Sequence, residues 1–362
     1  MRSNGAKSLS ASPMQSIVQI ATAVYLPIIA ATLVGILLSL GLTRSGRIVR
    51  GQPVQELLPH VLSRFLYLVG IPIGVANFIR KAEFNPSAWI TPVIAWVAVL
   101  LAIFLSWQFL KSSSKPRSKS SKASFVHLSY IGSTAYLGFP VILLLPQLGP
   151  QYFSSAVLYD VLGTTVAGYG FGVLIADYAS INNGGHVTST SSNATEAELS
   201  TRSSKRAGMV SALLNALTEV TRNPTLYAFF VGLYLQTLSF PECLNLALGA
   251  IAWSSIMVAL IVMGMRIQQL SKKLNLKLAI RPVLIKIVLV PLTLAAALTG
   301  FGFDGPMRLV MMLQSAMPCG FTSLVLAENY ELDVELTVAS ILLSCIAFVF
   351  LLPVWAILFT TW

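Results

Sequence analysis

Long apolar runs separated by short polar ones make up nearly the whole chain. Ten such runs are visible, at about 16–42, 55–79, 87–110, 125–148, 152–177, 224–241, 244–266, 280–300, 305–328 and 332–360. Each has roughly the 20 residues that an α-helix needs to cross a bilayer. The alternating ten-residue segments of an outer-membrane barrel are not seen. The pattern predicts an all-α polytopic membrane protein with ten transmembrane helices.

The polar interruptions organise the runs. Residues 179–206 form the longest one, rich in Ser, Thr, Asn and Gly, which reads as a disordered linker. It leaves five runs on each side, so the second half must enter the membrane with the opposite orientation. The expected layout is a flexible tail at 1–15, a first five-helix repeat at 16–178, the linker at 179–206, and a second repeat at 207–362. Met209, Val210, Leu213, Leu214 and Leu217 recur at helical spacing, so a short amphipathic helix on the membrane surface is expected to lead the second repeat; the alternative is a plain extension of the sixth run.

Two proline correspondences support an inverted repeat. Pro27 is followed eight residues later by Gly35, and Pro224 eight residues later by Gly232, at the openings of the first and sixth runs. Pro140 falls in the fourth run and Pro318 in the ninth, the same place in each half. A mid-helix proline removes a backbone donor and clashes with the carbonyl one turn back. Broken helices persist in lipid only where protein or a water-filled cavity covers the break. Matching interruptions in two halves point to a transporter binding site at the midplane.

Composition narrows the class. Of 362 residues, 55% are hydrophobic and 10% charged, with mean hydropathy +0.76, outside the range of soluble domains. The net charge of +11 reads as membrane topology rather than nucleic-acid binding. With the Lys111–Lys122 loop in the cytoplasm, 17 of the 24 Lys and Arg residues fall on that side. The positive-inside rule then puts the 179–206 linker in the cytoplasm and both termini outside. Three cysteines, Cys243, Cys319 and Cys345, give no disulfide framework. Three scattered histidines offer no metal-ligand spacing, and no cofactor is expected.

The candidate chemistry gathers at the breaks. Half-helices starting after Pro140 and Pro318 would each present a positive dipole end near the midplane, and two such ends make an anion site without a buried lysine. Ser133, Thr134, Gln314, Ser315 and Thr322 flank the breaks and can donate hydrogen bonds to a carboxylate; their alternative use is helix packing. Asp160, Lys286 and Arg64 lie inside runs and are candidates for coupling or charge pairing. Asp160 either takes a proton, pairs with a base, or is an interfacial acid. Lys286 either pairs with a carboxylate or snorkels to the surface. Arg64 either bonds a carbonyl or meets substrate. Gly168, Gly170 and Gly172 lie within an apolar helix and serve close packing rather than nucleotide binding.

Several strings resemble the auxin efflux carrier family, which includes plant carriers and bacterial organic-anion carriers. The stretch Ala316-Met317-Pro318-Cys319-Gly320-Phe321-Thr322-Ser323-Leu324-Val325-Leu326-Ala327-Glu328-Asn329-Tyr330 is similar to that family's ninth helix. Arg222-Asn223-Pro224 is similar to the start of its sixth, Ser63-Arg64-Phe65 with Gly70-Ile71-Pro72 to its second, and Leu137-Gly138-Phe139-Pro140 to the break in its fourth. The resemblance implies two inverted five-helix repeats with broken helices four and nine crossing at their prolines. It implies a scaffold of helices one, two, six and seven, a moving unit of the rest, carriage of a small organic anion, export and a homodimer. Ser133 stands where the family often carries asparagine, and no hydroxyl residue directly follows Pro72, so substrate preference is open.

Three other classes fit the sequence less well. A sodium-coupled organic-anion symporter of the bile-acid-carrier type needs several oxygen ligands near the crossing, and the ninth run offers few. A non-transporting receptor would bind ligand without flux. An intramembrane aspartyl protease needs two close carboxylates; Asp160 and Asp304 are the candidates, and Asp304 falls in a loop.

Overall fold

The computed structural model describes residues 22, 26–49, 52–82, 86–112, 118–180, 218, 221, 223–270 and 276–360. The expected tail, the linker beyond Ser180, and the amphipathic segment apart from Thr218 lie outside the described residues. The described residues are helical almost throughout. A two-residue hairpin, β1 (Ile48–Val49) against β2 (Gln52–Pro53), is the one sheet among the described residues. Among the described residues, six helices are long and apolar enough to cross a membrane, namely Leu26–Ser45, Val54–Lys81, Ala88–Ser112, Glu242–Gln269, Leu276–Gly300 and Val334–Leu358.

We number the helices in chain order. The first half holds α1 (Leu26–Ser45), α2 (Val54–Lys81), α3 (Thr91–Ser112), α4 (Lys119–Tyr130), α5 (Thr134–Leu144) and α6 (153–180). The second holds α7 (Pro224–Leu235), α8 (Glu242–Leu270), α9 (Leu276–Gly300), α10 (Gly305–Ser315), α11 (Thr322–Asn329) and α12 (Val334–Thr360). The fourth expected run is thus two helices, α4 and α5, and the ninth is α10 and α11. Helix α4 begins at Lys119, inside the expected loop, because the Ser118 side chain accepts from the Ser121 amide at 3.1 Å and caps the helix there.

Helices α1, α2, α7 and α8 pack as one group. Along α1 the buried positions are Ala31, Gly35 and Ser39, one small residue per turn, while Leu33, Val34 and Leu37 are exposed. In lipid there is little hydrophobic drive between helices, so small residues that let backbones approach carry the contact. Gly35 rests on the Ile261 carbonyl of α8, and Gly264 of α8 on the Thr32 carbonyl of α1; a Cβ at either would overlap that oxygen. One turn on from Gly35, the Ser39 hydroxyl donates to Gln268 Oε1 at 2.6 Å.

The α7–α2 contact uses the same device. Asn223 caps α7 by accepting from the Thr225 amide at 2.9 Å, with Pro224 at the first helical position. Gly232 then lies against α2, where a Cβ would stand 2.9 Å from Ile79 and 3.0 Å from the Ala76 carbonyl oxygen. Gln236 Nε2 donates to the Ile79 and Ala82 carbonyls at 2.8 and 2.9 Å, covering the open end of α2. Arg80 closes the group by donating to Asn245 Oδ1 of α8 at 2.5 Å, with its guanidinium over the Phe240 ring.

Helices α3, α4, α6, α9, α10 and α12 form the rest of the core. The buried face of α3 carries Thr91, Ala95, Ala98, Ala102 and Ser106, so α6 approaches closely, with Gly163 against Ala95. Thr91 Oγ1 donates to the Ser155 carbonyl and Trp96 Nε1 to the Leu162 carbonyl, both at 3.1 Å.

Three of the intramembrane prolines share one local geometry. Wide π-type turns at Leu66–Gly70, Thr134–Gly138 and Ile285–Leu289 each end two residues before a proline, at Pro72, Pro140 and Pro291. In each case the residue before the proline donates to the carbonyl five residues back, for example Phe139 to Thr134. The extra residue per turn moves the carbonyl that the proline ring would strike. A fourth wide turn, Tyr159–Thr165 in α6, contains no proline.

Candidate functional site

Both helix breaks are real, but the first is not at Pro140. Helix α4 ends at Tyr130, where the Ile131 amide returns to the His127 carbonyl at 3.1 Å. The chain is extended at Ile131, and α5 starts at Thr134, with the Leu137 and Gly138 amides both 3.1 Å from the Ser133 carbonyl oxygen. Pro140 therefore lies seven residues beyond Ser133, inside α5, where the wide turn ahead of it accommodates its ring. The expected half-helix starting after Pro140 is corrected to one starting after Ser133. Pro318 lies within its break, which runs from Ala316 to Phe321 between α10 and α11.

The two unwound segments meet. Gly132 and Cys319 form an isolated antiparallel bridge, and the Ser133 amide donates to the Pro318 carbonyl at 2.8 Å. Ser344 of α12 accepts from the Cys319 amide at 3.0 Å, and the Cys319 thiol donates to the Leu128 carbonyl at 3.3 Å. Backbone groups freed by the breaks are thus taken up by protein, as the bilayer interior requires. Glycine permits the approach. A Cβ at Gly132 would stand 3.1 Å from Lys286 Nζ and 3.2 Å from the Met317 oxygen, and one at Gly320 would stand 3.2 Å from the Gly132 oxygen.

Most of the predicted polar residues collect here. Ser133, Thr134, Gln314 and Ser315 are all buried. Thr134, the first residue of α5, hydrogen-bonds Asp160 through its hydroxyl. Asp160 is buried in the proline-free wide turn of α6. Lys286 is buried on the wide turn of α9 and donates to the Ser315 carbonyl at 2.8 Å. It therefore neither pairs with a carboxylate nor reaches the surface. Among the described residues, neither Asp160 nor Lys286 is in an ion pair. The Gln314 side chain packs against Gly138; its Nε2 is 3.5 Å from the Ala156 carbonyl oxygen and its Oε1 has no partner.

Two predicted residues stand apart. Thr322 opens α11 with an exposed side chain, and Arg64 is exposed near the end of the first α-helical stretch of α2. Pro140 lies inside α5, past the break. It lines an apolar cavity between α2, α5 and α8, together with Gly70, Gly74, Phe78, Ala135 and Ser255. The crossing thus gathers polar side chains and backbone, and the neighbouring cavity is apolar and small, about 30 Å³.

Sequence reasoning missed Gly132, Tyr130 and Ser344. Gly132 directly precedes Ser133, so a Gly-Ser pair ahead of the proline marked the true break. Ser340 and Ser344, both buried, recur one turn apart in an otherwise apolar α12, a spacing that marks a face turned toward polar backbone. Among the described residues no group of three or more His, Cys, Asp or Glu side chains is placed to hold a metal ion.

Comparison with known proteins assigns the family. Over 149 residues the chain is 26% identical to auxin efflux carrier component 8 of Arabidopsis thaliana, covering 39% of this chain and 41% of that relative. The match thus spans about two fifths of the curated relative's length. The family model described as membrane transport protein matches residues 58–356, which takes in both breaks, the apolar cavity and every charged residue discussed above. The protein is an integral membrane protein and belongs to this membrane transport protein family, that of the auxin efflux carriers.

Proposed function

We propose that the protein is a secondary carrier that moves a small organic anion, auxin-like or another carboxylate, by alternating access. The observation that carries this reading is the junction of the two breaks, the Ser133 amide on the Pro318 carbonyl. Helices α5 and α11 both begin beside that junction, and the first-turn amides of a helix lack intrahelical partners. Their summed dipoles favour a carboxylate there. Ser133 and Gln314 are the donors assigned to that carboxylate; the Thr134 and Ser315 hydroxyls, which donate to Asp160 and to the Met312 carbonyl, join them when those bonds open. The rest of the substrate is assigned to the apolar cavity beside Pro140, which must widen to take it. Thr322 joins them only if α11 turns during the cycle.

The finer architecture in this reading is ten helices in two inverted five-helix repeats. Its support is the paired use of glycine: Gly35 packs α1 on α8, and Gly232, its counterpart by spacing from proline, packs α7 on α2. The group α1, α2, α7 and α8 acts as the scaffold, and the elements carrying the breaks act as the moving unit. Both termini lie outside and the 179–206 linker lies in the cytoplasm, as the Lys and Arg distribution favours. Export as a homodimer completes the reading. Asp160 and Lys286 are the residues assigned to coupling or charge balance. Arg64, exposed near the end of the first stretch of α2, is assigned a structural rather than a substrate role.

The test is electrical. The purified protein is reconstituted in liposomes on a solid-supported membrane and given jumps of indole-3-acetate, malate, malonate and a cationic control, with and without sodium. An anion-specific, sodium-independent current is expected. A current only with sodium would replace this reading with a symporter. Binding of these anions without current or tracer flux would replace it with a receptor.

A further inference from the structure

Lys286 carries a buried positive charge with little to offset it. Its side chain is 3% exposed. An ammonium has three donors, and one is used, on the Ser315 carbonyl at 2.8 Å. Among the described residues it has no carboxylate partner. A buried ammonium needs compensation, part of which the C-terminal end of α10 supplies through the Ser315 carbonyl, with no carboxylate to supply the rest.

Behind Lys286 is a second cavity, which shares no lining residue with the apolar one beside Pro140. Ser129, Tyr130, Tyr159 and Thr164 line it together with Lys286. Tyr130 is 2% exposed, and its hydroxyl has no hydrogen-bond partner. The Ser129 hydroxyl already donates to the Phe125 carbonyl at 2.8 Å, and Thr164 to the Tyr159 carbonyl at 3.2 Å. The donors left for an occupant are therefore the ammonium and the Tyr130 phenol, with Tyr159 as a second phenol in the lining. The rest of the lining is Ala98, Val99 and Ala102 of α3 and Val290 of α9, with no acid among them. The volume is about 10 Å³, near the room that one water-sized sphere needs.

We propose that this cavity binds a single monoatomic anion, chloride under ordinary conditions, as the counter-ion of Lys286. A water molecule would satisfy Tyr130 but leave the charge. A carboxylate-bearing substrate is too large. The bound halide would hold the ammonium in place while its other donor grips Ser315, and so would brace the end of α10 where the second break begins. This inference rests on the surroundings of Lys286 and stands whether or not the transport reading does.

The test is thermal unfolding of the purified, detergent-solubilised protein, at constant ionic strength, as sodium chloride or sodium bromide replaces sodium sulfate. The wild type is expected to show a saturable, one-site rise in its unfolding midpoint with either halide. Tyr130→Phe should raise the half-saturating concentration about tenfold, since a hydrogen bond to a charged partner is lost. Lys286→Met should abolish the saturable component. A flat response in the wild type, an unchanged half-saturation in Tyr130→Phe, or an equal response in Lys286→Met would overturn the site. Should Lys286→Met not fold, bromide anomalous scattering from wild-type crystals decides it. A peak between Lys286 and Tyr130 supports the proposal, and peaks only elsewhere, or none, overturn it.

Discussion

Gly35 of α1 lies directly against the backbone carbonyl of Ile261 in α8, with no room for a methyl group between the two chains. Three residues along each helix, Gly264 meets the Thr32 carbonyl in the same way. Because the obstacle is backbone, no side-chain rotation relieves a substitution there. Gly35→Val and Gly264→Val should each destabilise the protein by at least the ~1–3 kcal/mol typical of overpacking. Gly41→Ala, which meets nothing within 4 Å on the same helix, should leave stability unchanged apart from helix propensity. Unfolding midpoints of the three detergent-solubilised variants check this.

The repeat reading makes a sharper demand on Gly232. If Gly35 and Gly232 are equivalent, Gly232→Val should also loosen its helix pair, α7 on α2. The neighbours there include the Ile79 side chain at 2.9 Å as well as the Ala76 carbonyl, so some relief is available. The expected loss is real but smaller than for Gly35→Val. Equal stability of Gly232→Val and the wild type, by the same midpoint assay, would argue against the equivalence.

Thr134 gives Asp160 its one protein hydrogen bond among the described residues. Thr134→Val keeps the shape and removes the donor, leaving a buried carboxylate unpartnered at ~1–3 kcal/mol or more. Transport of the organic anion should fall at least tenfold, and Thr134→Ser should restore most of it. If the hydroxyl only packs, Val and Ser will behave alike in the flux assay.

The membrane character and the family were legible in the sequence, and the physical reasons are simple. Apolar runs of bilayer length survive any rearrangement of partners, and the string around Pro318 is a local signature that needs no tertiary knowledge. The place of the first break was harder. Proline is the strongest local breaker, so attention fell on Pro140, yet a wide turn at Thr134–Gly138 absorbs its ring without ending the helix. The real break depends on Gly132 approaching Met317 and on Pro318 accepting from Ser133, contacts made across the fold. Lys286 shows the same limit. Its position on an apolar run left open whether it snorkelled or paired, and the Ser315 carbonyl that holds it is 29 residues away.

The two prolines should therefore differ when replaced. Pro318 sits in the unwound stretch itself, where an alanine would supply an amide that can return to the Gln314 carbonyl and let α10 continue into α11. Reclosing would withdraw the Pro318 carbonyl from the Ser133 amide and bury the start of α11. Pro318→Ala should leave membrane insertion intact and lower transport more than tenfold. Pro140 lies beyond its break, in a turn already hydrogen-bonded from Phe139 to Thr134. Pro140→Ala adds a donor to that turn but leaves the junction of Ser133 with Pro318 untouched, so transport should change less than about threefold, under 1 kcal/mol. Flux measured side by side in liposomes of matched protein content checks the ranking. Equal losses in the two variants would mean that the wide turn, and not the junction, sets the geometry that transport needs.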